Sequence, residues 1–316
     1  MKKFIFVVIV AVCALAPSIA QAQQGWQLQL PPTLKHLYGV DFVNPSVGYA
    51  CGDDNLLFTT DAGNTWTEQE TGTTNKLYSV SVLNPACAMV VGRDGIILRT
   101  IDSGSHWKSQ TGVRVMPLKG TSFIDTSTGC AVGWYGTLIE TTNGGRNWEK
   151  QMSNTQLFLN GVCALDRSLI LAVGEHGVVI KGSFSKEKWT SVLSETGEDL
   201  NSICFAGNKV LVAVGRNGTI IRSSNRGDRW ECMESGTNQV LWSVSFCDEK
   251  NGTAVGEHGT ILRTSDGGLH WISQKAPGIT HLTGVCQIDA KTIVIVGVNG
   301  TILRTSNGGY LKNTLK

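Results

Sequence analysis

The sequence has 316 residues, of which 41% are hydrophobic and 16% are charged, so it is long enough to bury a sizeable core. Its 27 basic and 25 acidic residues give a formal net charge of +2. A balance so close to neutral argues against nucleic acid as a partner, since binding to phosphates depends on a basic surface.

The first 22 residues are predicted to be a signal peptide. Lys2 and Lys3 precede the apolar run FIFVVIVAV, and Ala20-Gln21-Ala22 is typical of a cleavage site. The apolar run is too short for a membrane span, which needs about 20 residues. We therefore expect an exported chain, periplasmic or extracellular and soluble after cleavage, whose residues 23–316 form one domain. A lipid anchor at Cys13 is the alternative.

After this segment the sequence repeats at intervals of 41 residues. The period is kept by one set of tryptophans, which are Trp66, Trp107, Trp148, Trp189, Trp230 and Trp271. A leucine opens each unit, at Leu37, Leu77, Leu118, Leu159, Leu200, Leu241 and Leu282. Seven units therefore cover almost all of the chain after the signal segment.

Each unit has the composition of a small antiparallel sheet. Unit six contains LWSVSF, GTAVG, GTILRT, the turn SDGG and HWISQ, which are short β-branched runs separated by glycine. Four strands and their connections account for about 40 residues. The sequence thus predicts an all-β, seven-bladed β-propeller of four-stranded blades, expected to be a monomer.

The turn before each tryptophan resembles the Asp-box of bacterial neuraminidase repeats. In unit six the pattern S/T-x-D-x-G-x-x-W is formed by Thr264, Asp266, Gly268 and Trp271. The aspartate can accept hydrogen bonds from backbone N–H groups, and the glycine allows the tight turn. The boxes are therefore predicted to hold turns and to have no chemical role. In unit four Phe184 and Lys186 replace the aspartate and the glycine, which predicts a different turn there.

The last unit ends before its tryptophan, and the missing strand is present at the other end of the chain. Trp26 and Gln29 form the W-x-x-Q pattern that recurs at Trp66 and Gln69. We predict that residues near 25–30 form the outermost strand of the last blade and so close the ring.

Eight cysteines follow the signal segment, an even number that would permit disulfides in an oxidising compartment. However, Cys163, Cys204 and Cys286 occupy the same place in three blades, and equivalent places are too far apart for a disulfide. We predict that they are buried thiols.

One side of the ring has the more variable chemistry and is the predicted site for a protein partner. The candidates come from the G-x-x-G turns and from the residues after the opening leucines. They are Tyr38, Tyr78, Arg93, Trp134, Tyr135, Glu175, His176, Arg216, Trp242, Glu257 and His258. Aromatic and charged side chains on a rigid scaffold are typical of a recognition surface. Ordinary solvated loops are the alternative.

A second set of candidates is a basic ring at one position of the third strands. It consists of Arg99, Lys181, Arg222, Arg263 and Arg304. These side chains could bind an acidic segment, or they could only bridge neighbouring blades.

The sequence predicts no catalytic, metal or cofactor site. His176 and His258 are two blades apart, which is too far for a shared metal ion. The main alternative function is that of a sialidase-like Asp-box glycoside hydrolase or a glycan-binding propeller, because Asp-box propellers include glycosidases. Such an enzyme needs two carboxylates beside a cleft, and the candidate acids (Asp53, Asp54, Asp94, Glu175 and Glu257) form no marked pair.

The segment WQLQLPPTLKHLYGVDFVNPSVGYACGDDNLLFTTDAGNTW (26–66) and the repeated G-x-x-G-T-I-L-R-T-x-D-G-G-x-x-W resemble the photosystem II stability/assembly factor family. The resemblance implies a non-enzymatic propeller that acts as an assembly chaperone and binds a segment of a membrane-complex subunit. It also implies a basic binding surface, for which the nearest match is the arginine position at Arg99, Arg222, Arg263 and Arg304.

Overall fold

The computed structural model describes residues 25–110, 115–184, 189–278 and 280–310. These residues form seven four-stranded antiparallel sheets arranged as the blades of a β-propeller. The predicted fold class is therefore confirmed. No helix among the described residues is long and apolar enough to cross a membrane.

Blade 1 contains the second to the fifth strand of the chain, blades 2 to 6 contain the next five groups of four strands, and blade 7 contains the last three strands together with the first. The strands are β1 (Gln27–Leu28), β2 (Leu37–Phe42), β3 (Gly48–Gly52), β4 (Leu56–Thr59), β5 (Thr67–Glu68), β6 (Leu77–Asn84), β7 (Cys87–Gly92), β8 (Ile97–Thr100), β9 (Lys108–Ser109), β10 (Leu118–Phe123), β11 (Gly129–Gly133), β12 (Leu138–Thr141), β13 (Glu149–Lys150), β14 (Leu159–Asp166), β15 (Leu169–Gly174), β16 (Val179–Gly182), β17 (Thr190–Val192), β18 (Leu200–Ala206), β19 (Val210–Gly215), β20 (Ile220–Ser223), β21 (Glu231–Met233), β22 (Leu241–Phe246), β23 (Gly252–Gly256), β24 (Thr260–Thr264), β25 (Ile272–Lys275), β26 (Leu282–Gln287), β27 (Ile293–Gly297) and β28 (Ile302–Thr305). Short 3-10 turns span Arg93–Gly95, Trp134–Gly136, Glu175–Gly177, Arg216–Gly218, Glu257–Gly259 and Val298–Gly300.

The core is divided among the boundaries between blades. Each of the seven boundaries has its own cluster of buried side chains. Between blades 4 and 5, for example, Leu171 and Val173 pack with Leu200, Leu211 and Trp230. Burial of one such side chain stabilises the fold by about 1.5–3 kcal/mol. A single blade could not bury these faces, which explains why the units must close into a ring.

The Asp-boxes hold turns, as the sequence predicts. In blade 6 Thr264 Oγ1 donates to Asp266 Oδ1 (2.8 Å) and accepts from the Gly268 N–H (3.0 Å). Asp266 Oδ1 accepts the His270 N–H (3.0 Å), and Trp271 Nε1 donates to Gly268 O (3.2 Å). Burial alone would raise the pKa of Asp266, but the hydrogen bonds from His270 and Thr264 lower it to about 2. The carboxylate is thus held in the charged form that the turn requires.

The box of blade 4 differs, and Lys186 lies outside the described residues. Phe184, at the place of the aspartate, donates its backbone N–H to Arg167 O (3.0 Å). The other blades make the same main-chain bond one position later, as from the Gly267 N–H to Lys250 O (3.0 Å), so blade 4 differs by a shift of this bond by one residue.

The N-terminal strand closes the ring as predicted. β1 pairs antiparallel with β28, and Gln27 lies opposite Arg304. Trp26 is only 2% exposed and donates Nε1 to Gln274 Oε1 (3.0 Å) of blade 6. The first described residues therefore complete blade 7 and also contact blade 6.

The chain order gives the ring two distinct sides. The G-x-x-G turns and the connections from outermost to innermost strands lie on one side, which we call the mouth face. The Asp-box turns lie on the other side, which we call the Asp-box face. The residue that follows each opening leucine therefore lies at the mouth face, where the innermost strand begins.

Candidate functional site

The mouth face contains a cavity of about 650 Å³ over the central channel. Its lining residues are Tyr38, Lys76, Tyr78, Arg93, Asp94, Pro117, Lys119, Trp134, Asn160, Asn201, Trp242 and Thr283. All seven blades contribute to it. We call this cavity the channel mouth.

A β-bulge in every innermost strand directs one side chain into the channel mouth. In blade 3 the register shifts between Leu118 and Gly120, so Lys119 is left out of the strand pairing. The same shift follows the opening leucine of every other blade. The seven unpaired residues are Tyr38, Tyr78, Lys119, Asn160, Asn201, Trp242 and Thr283. Bulges turn side chains away from the sheet, which explains why these seven converge.

Two tyrosines form one wall of the channel mouth. The rings of Tyr38 and Tyr78 have centroids 5.7 Å apart. Tyr38 donates its hydroxyl to Asp53 Oδ1 (2.7 Å), and Lys76 Nζ lies 2.8 Å from the same oxygen. Burial and the bond to Asp53 raise the pKa of Tyr38. Burial alone would raise the pKa of Asp53, but the bonds from Lys76 and Tyr38 lower it. The wall is therefore fixed before any ligand binds.

Lys119 extends over the next part of the wall. Its Nζ lies 4.2 Å from the centroid of the Tyr78 ring, which is cation–π geometry. Burial lowers the pKa of Lys119. The ammonium group is thus held against an aromatic surface and is only partly hydrated.

The third aromatic group of the wall comes from a G-x-x-G turn. Trp134 stacks on Phe158 with the two ring planes 3° apart and the centroids 5.0 Å apart, and Tyr135 meets the same ring edge-on. Phe158 precedes the opening leucine of blade 4, a position at which the sequence analysis named no candidate. Its role as the support of Trp134 appears only in the structure, because the two residues are 24 positions apart.

Of the four other side chains that the bulges direct into the channel mouth, Trp242 is aromatic and 37% exposed, and the other three are polar. Asn160 Nδ2 donates to Leu200 O (3.0 Å), and Asn201 Nδ2 donates to Leu241 O (2.9 Å). Thr283 Oγ1 donates to Leu37 O in the same way. Each of these side chains bonds to the next blade and fixes the opening of the channel.

The structure brings five of the eleven predicted mouth-face candidates together in the channel mouth, namely Tyr38, Tyr78, Arg93, Trp134 and Trp242. The other six lie in the surrounding turns and are not among the lining residues; they are Tyr135, Glu175, His176, Arg216, Glu257 and His258. In each G-x-x-G turn the second middle residue has a positive φ, for example 52° at His176 and 53° at His258.

Several of these six are occupied by local contacts. Glu175 Oε2 accepts the Phe158 N–H (3.0 Å), and Arg216 Nε pairs with Asp199 (3.1 Å). The Nδ1–H of His258 donates to Gln239 Oε1 (2.7 Å). No group of three or more possible metal-ligating side chains occurs in the part of the chain that the structure describes.

The predicted basic ring lies on the Asp-box side and bridges neighbouring blades. Arg222 Nε donates to Gly267 O (2.8 Å) in the Asp-box turn of the next blade. Arg304 Nε donates to Ala62 O (2.8 Å) at the equivalent place across the closure. These two arginines therefore tie one blade to the turn of the next.

Arg263 makes the most extensive of these bridges and is only 3% exposed. Its guanidinium donates to Gly252 O, Thr253 Oγ1 and Gln287 Oε1, and also to Ala290 O. Burial lowers the pKa of Arg263. This side chain is enclosed and offers no surface to a partner.

The other two basic residues follow the same pattern. Lys181 Nζ pairs with Asp228 (2.6 Å) of the next blade, and the Arg99 guanidinium lies close to Gly144 of the next blade. The geometry thus favours the bridging interpretation of the basic ring over its use as a binding surface.

All eight cysteines in the described residues have free thiols. Cys51, Cys87, Cys130, Cys163 and Cys286 are buried, Cys204 and Cys247 are partly buried, and Cys232 is exposed. Burial raises the pKa of Cys163 and of Cys286 well above the ordinary value.

The blades and the channel mouth define a seven-bladed propeller of Asp-box repeats that has one large cavity shared by all blades. The family model "Photosynthesis system II assembly factor YCF48" matches residues 18–117 and 222–315, which is more than half of the chain. The chain belongs to this family of photosystem II assembly factors.

Solved structures share the fold. YCF48 bound to D1 peptide superposes with a TM-score of 0.75 at 19% identity, covering 90% of this chain and 97% of that chain. YCF48 from Cyanidioschyzon merolae gives 0.73 at 19% identity, covering 89% and 98%. The WD40 repeats of RRP9 give 0.74 at 12% identity, covering 92% and 99%. No curated protein sequence matches this chain significantly.

Proposed function

We propose that this protein is an exported, non-enzymatic assembly factor that binds an extended segment of a membrane-complex subunit in the channel mouth. The single observation on which the proposal depends is the convergence of aromatic and cationic side chains from blades 1, 2, 3 and 6 on one cavity that all seven blades line. Aromatic and arginine side chains provide much of the energy of protein interfaces.

The rigidity of the wall supports binding of a flexible segment. Tyr38 is held by Asp53 and Lys76, and Trp134 is stacked on Phe158. Side chains that are already ordered lose little entropy on binding, which leaves more of the contact energy for affinity. A cavity of about 650 Å³ is large enough for a few side chains of an extended peptide but too small for a folded domain.

The structural relative with a bound ligand supports the class of partner. That relative is YCF48 bound to D1 peptide, and it shares the propeller fold over nearly its whole length. By analogy we propose a polypeptide segment, rather than a glycan or a small metabolite, as the ligand of this chain. The family role implies that the segment belongs to a membrane complex such as photosystem II.

The distribution of carboxylates supports a non-enzymatic role. Hydrolysis of a glycosidic bond needs two carboxyl groups on opposite sides of the bond. Asp94 is the single carboxylate among the residues that line the channel mouth. Asp53, behind the wall, is already paired with Lys76 and Tyr38.

Export is proposed from the sequence of residues 1–22, which lie outside the described residues. Cleavage after Ala22 is the proposed processing step, and Cys13 is the competing site of lipid attachment. Intact mass of the mature protein distinguishes the two, since a lipidated chain would begin at Cys13.

Capture of partners from the native host tests the proposal. The wild-type protein should retain a membrane-complex subunit that is lost from a variant with Trp242→Ala and Tyr78→Ala. The control is Arg222→Ala with Arg304→Ala, which changes the Asp-box side and leaves the channel mouth intact. Loss of the subunit from the control but not from the mouth variant would contradict the proposal.

A further inference from the structure

Of the three cationic side chains in the channel mouth, two lie near a carboxylate and the third does not. Lys76 Nζ lies 2.8 Å from Asp53 Oδ1, and Arg93 Nε lies 3.8 Å from Asp94 Oδ1. Among the described residues, Lys119 makes no ion pair and no hydrogen bond, and its ammonium group lies 4.2 Å from the centroid of the Tyr78 ring. Lys119 is thus the one lining cation of the described cavity whose charge no carboxylate balances.

The position of Lys119 makes this imbalance significant. The bulge between Leu118 and Gly120 directs the side chain into the cavity, and burial lowers its pKa. A partly dehydrated ammonium group without an anionic neighbour is costly, and the cost is removed when an anion binds. The lining contains three cations and a single carboxylate, so the cavity as a whole complements negative charge.

We propose that Lys119 binds a carboxylate of the polypeptide segment in the channel mouth and so sets the preference for acidic segments. This inference rests on the proposed function, because it assigns one chemical feature to the ligand of that same site. Residues beside the carboxylate contact the exposed faces of Trp134 and Trp242. Asn160, the next residue of the ring, offers a carboxamide whose amino group is already bonded to Leu200 O, so its oxygen is available to a ligand N–H.

Two sources could supply the carboxylate. One is the side chain of an aspartate or glutamate within the segment, and the other is the α-carboxylate at the end of a chain. Both present the same two oxygens to an ammonium group, and only the surrounding peptide differs. A test must therefore vary the side chains and the terminus separately.

The test is selection from a library of short random peptides, prepared once with free C-termini and once with amidated C-termini. The full mature chain is used as wild type, Lys119→Met, Lys119→Arg and Lys209→Met. Lys209 is exposed in the β18–β19 turn, on the Asp-box side, and its variant has the same change of charge far from the cavity. Melting curves verify that each variant is folded, and Lys119→Gln replaces Lys119→Met if the latter is not.

We expect the wild type to enrich acidic peptides, and Lys119→Met to weaken their affinity by about tenfold to a hundredfold. Lys119→Arg and Lys209→Met should keep most of the affinity. Enrichment of aspartate or glutamate in the amidated library identifies a side-chain carboxylate, whereas enrichment confined to free C-termini identifies the chain terminus. Either result supports the proposal.

Three other outcomes would overturn it. If the wild type enriches peptides without a carboxylate preference, or if Lys119→Met binds as tightly as the wild type, the role of Lys119 is wrong while peptide binding stands. If the wild type enriches no peptide from either library, the proposed function fails and the role of Lys119 fails with it.

Discussion

Gln27 lies directly opposite Arg304 in the sheet that joins the first and last strands of the propeller. The preceding residue, Trp26, is 2% exposed and bonds to Gln274 of blade 6. Closure of the ring therefore depends on a short N-terminal strand anchored by one buried indole.

Trp26→Ala should lower the free energy of unfolding by about 3–5 kcal/mol, because it removes a large buried side chain at the closure. Leu28→Ala is the matched control, since Leu28 is on the same strand but is 63% exposed. Chemical denaturation of both variants measures the difference. Equal stability of the two variants would show that the N-terminal strand does not hold the ring closed.

Glu140 is a buried acid whose ionisation opposes folding. It is 6% exposed, its Oε1 has no hydrogen-bond partner, and burial raises its pKa to about 7 against a bond from the Trp189 side chain. Because the pKa is raised in the folded state, stability is highest below the ordinary carboxyl pKa and is lost as the pH rises through about 7.

Glu140→Gln should therefore be more stable than the wild type at pH 8, by on the order of 3 kcal/mol, and nearly equal to it at pH 4. Glu68→Gln is the control, since Glu68 is an exposed acid on the outermost strand of blade 1, far from Glu140. Thermal melts across this pH range provide the measurement. A constant difference between Glu140→Gln and the wild type at all pH values would contradict this account of Glu140.

The bridging role of the arginines predicts unequal effects on stability. Arg263→Met leaves several buried acceptors without a donor and should lower the free energy of unfolding by about 2–4 kcal/mol. Arg222→Met removes one hydrogen bond, to Gly267 O, at a partly exposed site and should lower the free energy of unfolding by about 1 kcal/mol. Binding at the channel mouth should be unchanged in both folded variants. Loss of partner binding by Arg222→Met without loss of stability would instead support a basic binding surface.

The thiols should differ sharply in reactivity. Cys232 is exposed, whereas burial raises the pKa of Cys163 and Cys286 and keeps them protonated. In the folded mature chain a thiol reagent should label Cys232 rapidly and the others slowly. After denaturation without reductant, all eight cysteines of the described residues should react. A smaller final number would indicate disulfides.

The sequence predicts the repeated features of the fold because each is set locally and then copied. The 41-residue period, the Asp-box turns and the W-x-x-Q of Trp26 all follow from spacing and residue type. The mouth face is also predictable, since the order of strands within a blade determines which turns share a side.

Contacts between blades are less accessible to sequence reasoning. Arg263 and Arg222 have the same position in the repeat, yet the neighbouring Thr253 and Gln287 bury only the first of them. The position of Trp134 depends on its stacking against Phe158 in the next blade. Lys119 differs from the other cations of the channel mouth because no carboxylate of the described residues pairs with it. These properties depend on pairs of residues from different units, which no single repeat contains.

The claim that the channel mouth is the binding site is tested most directly by photo-crosslinking in the native host. A photoreactive residue is placed at position 242 in the channel mouth or at position 209 on the Asp-box side, and the joined peptides are identified by mass spectrometry. We predict that position 242 is linked to one segment of a membrane-complex subunit, and that the link is lost when Tyr78→Ala is added. Links to such a subunit from position 209 alone would contradict the account.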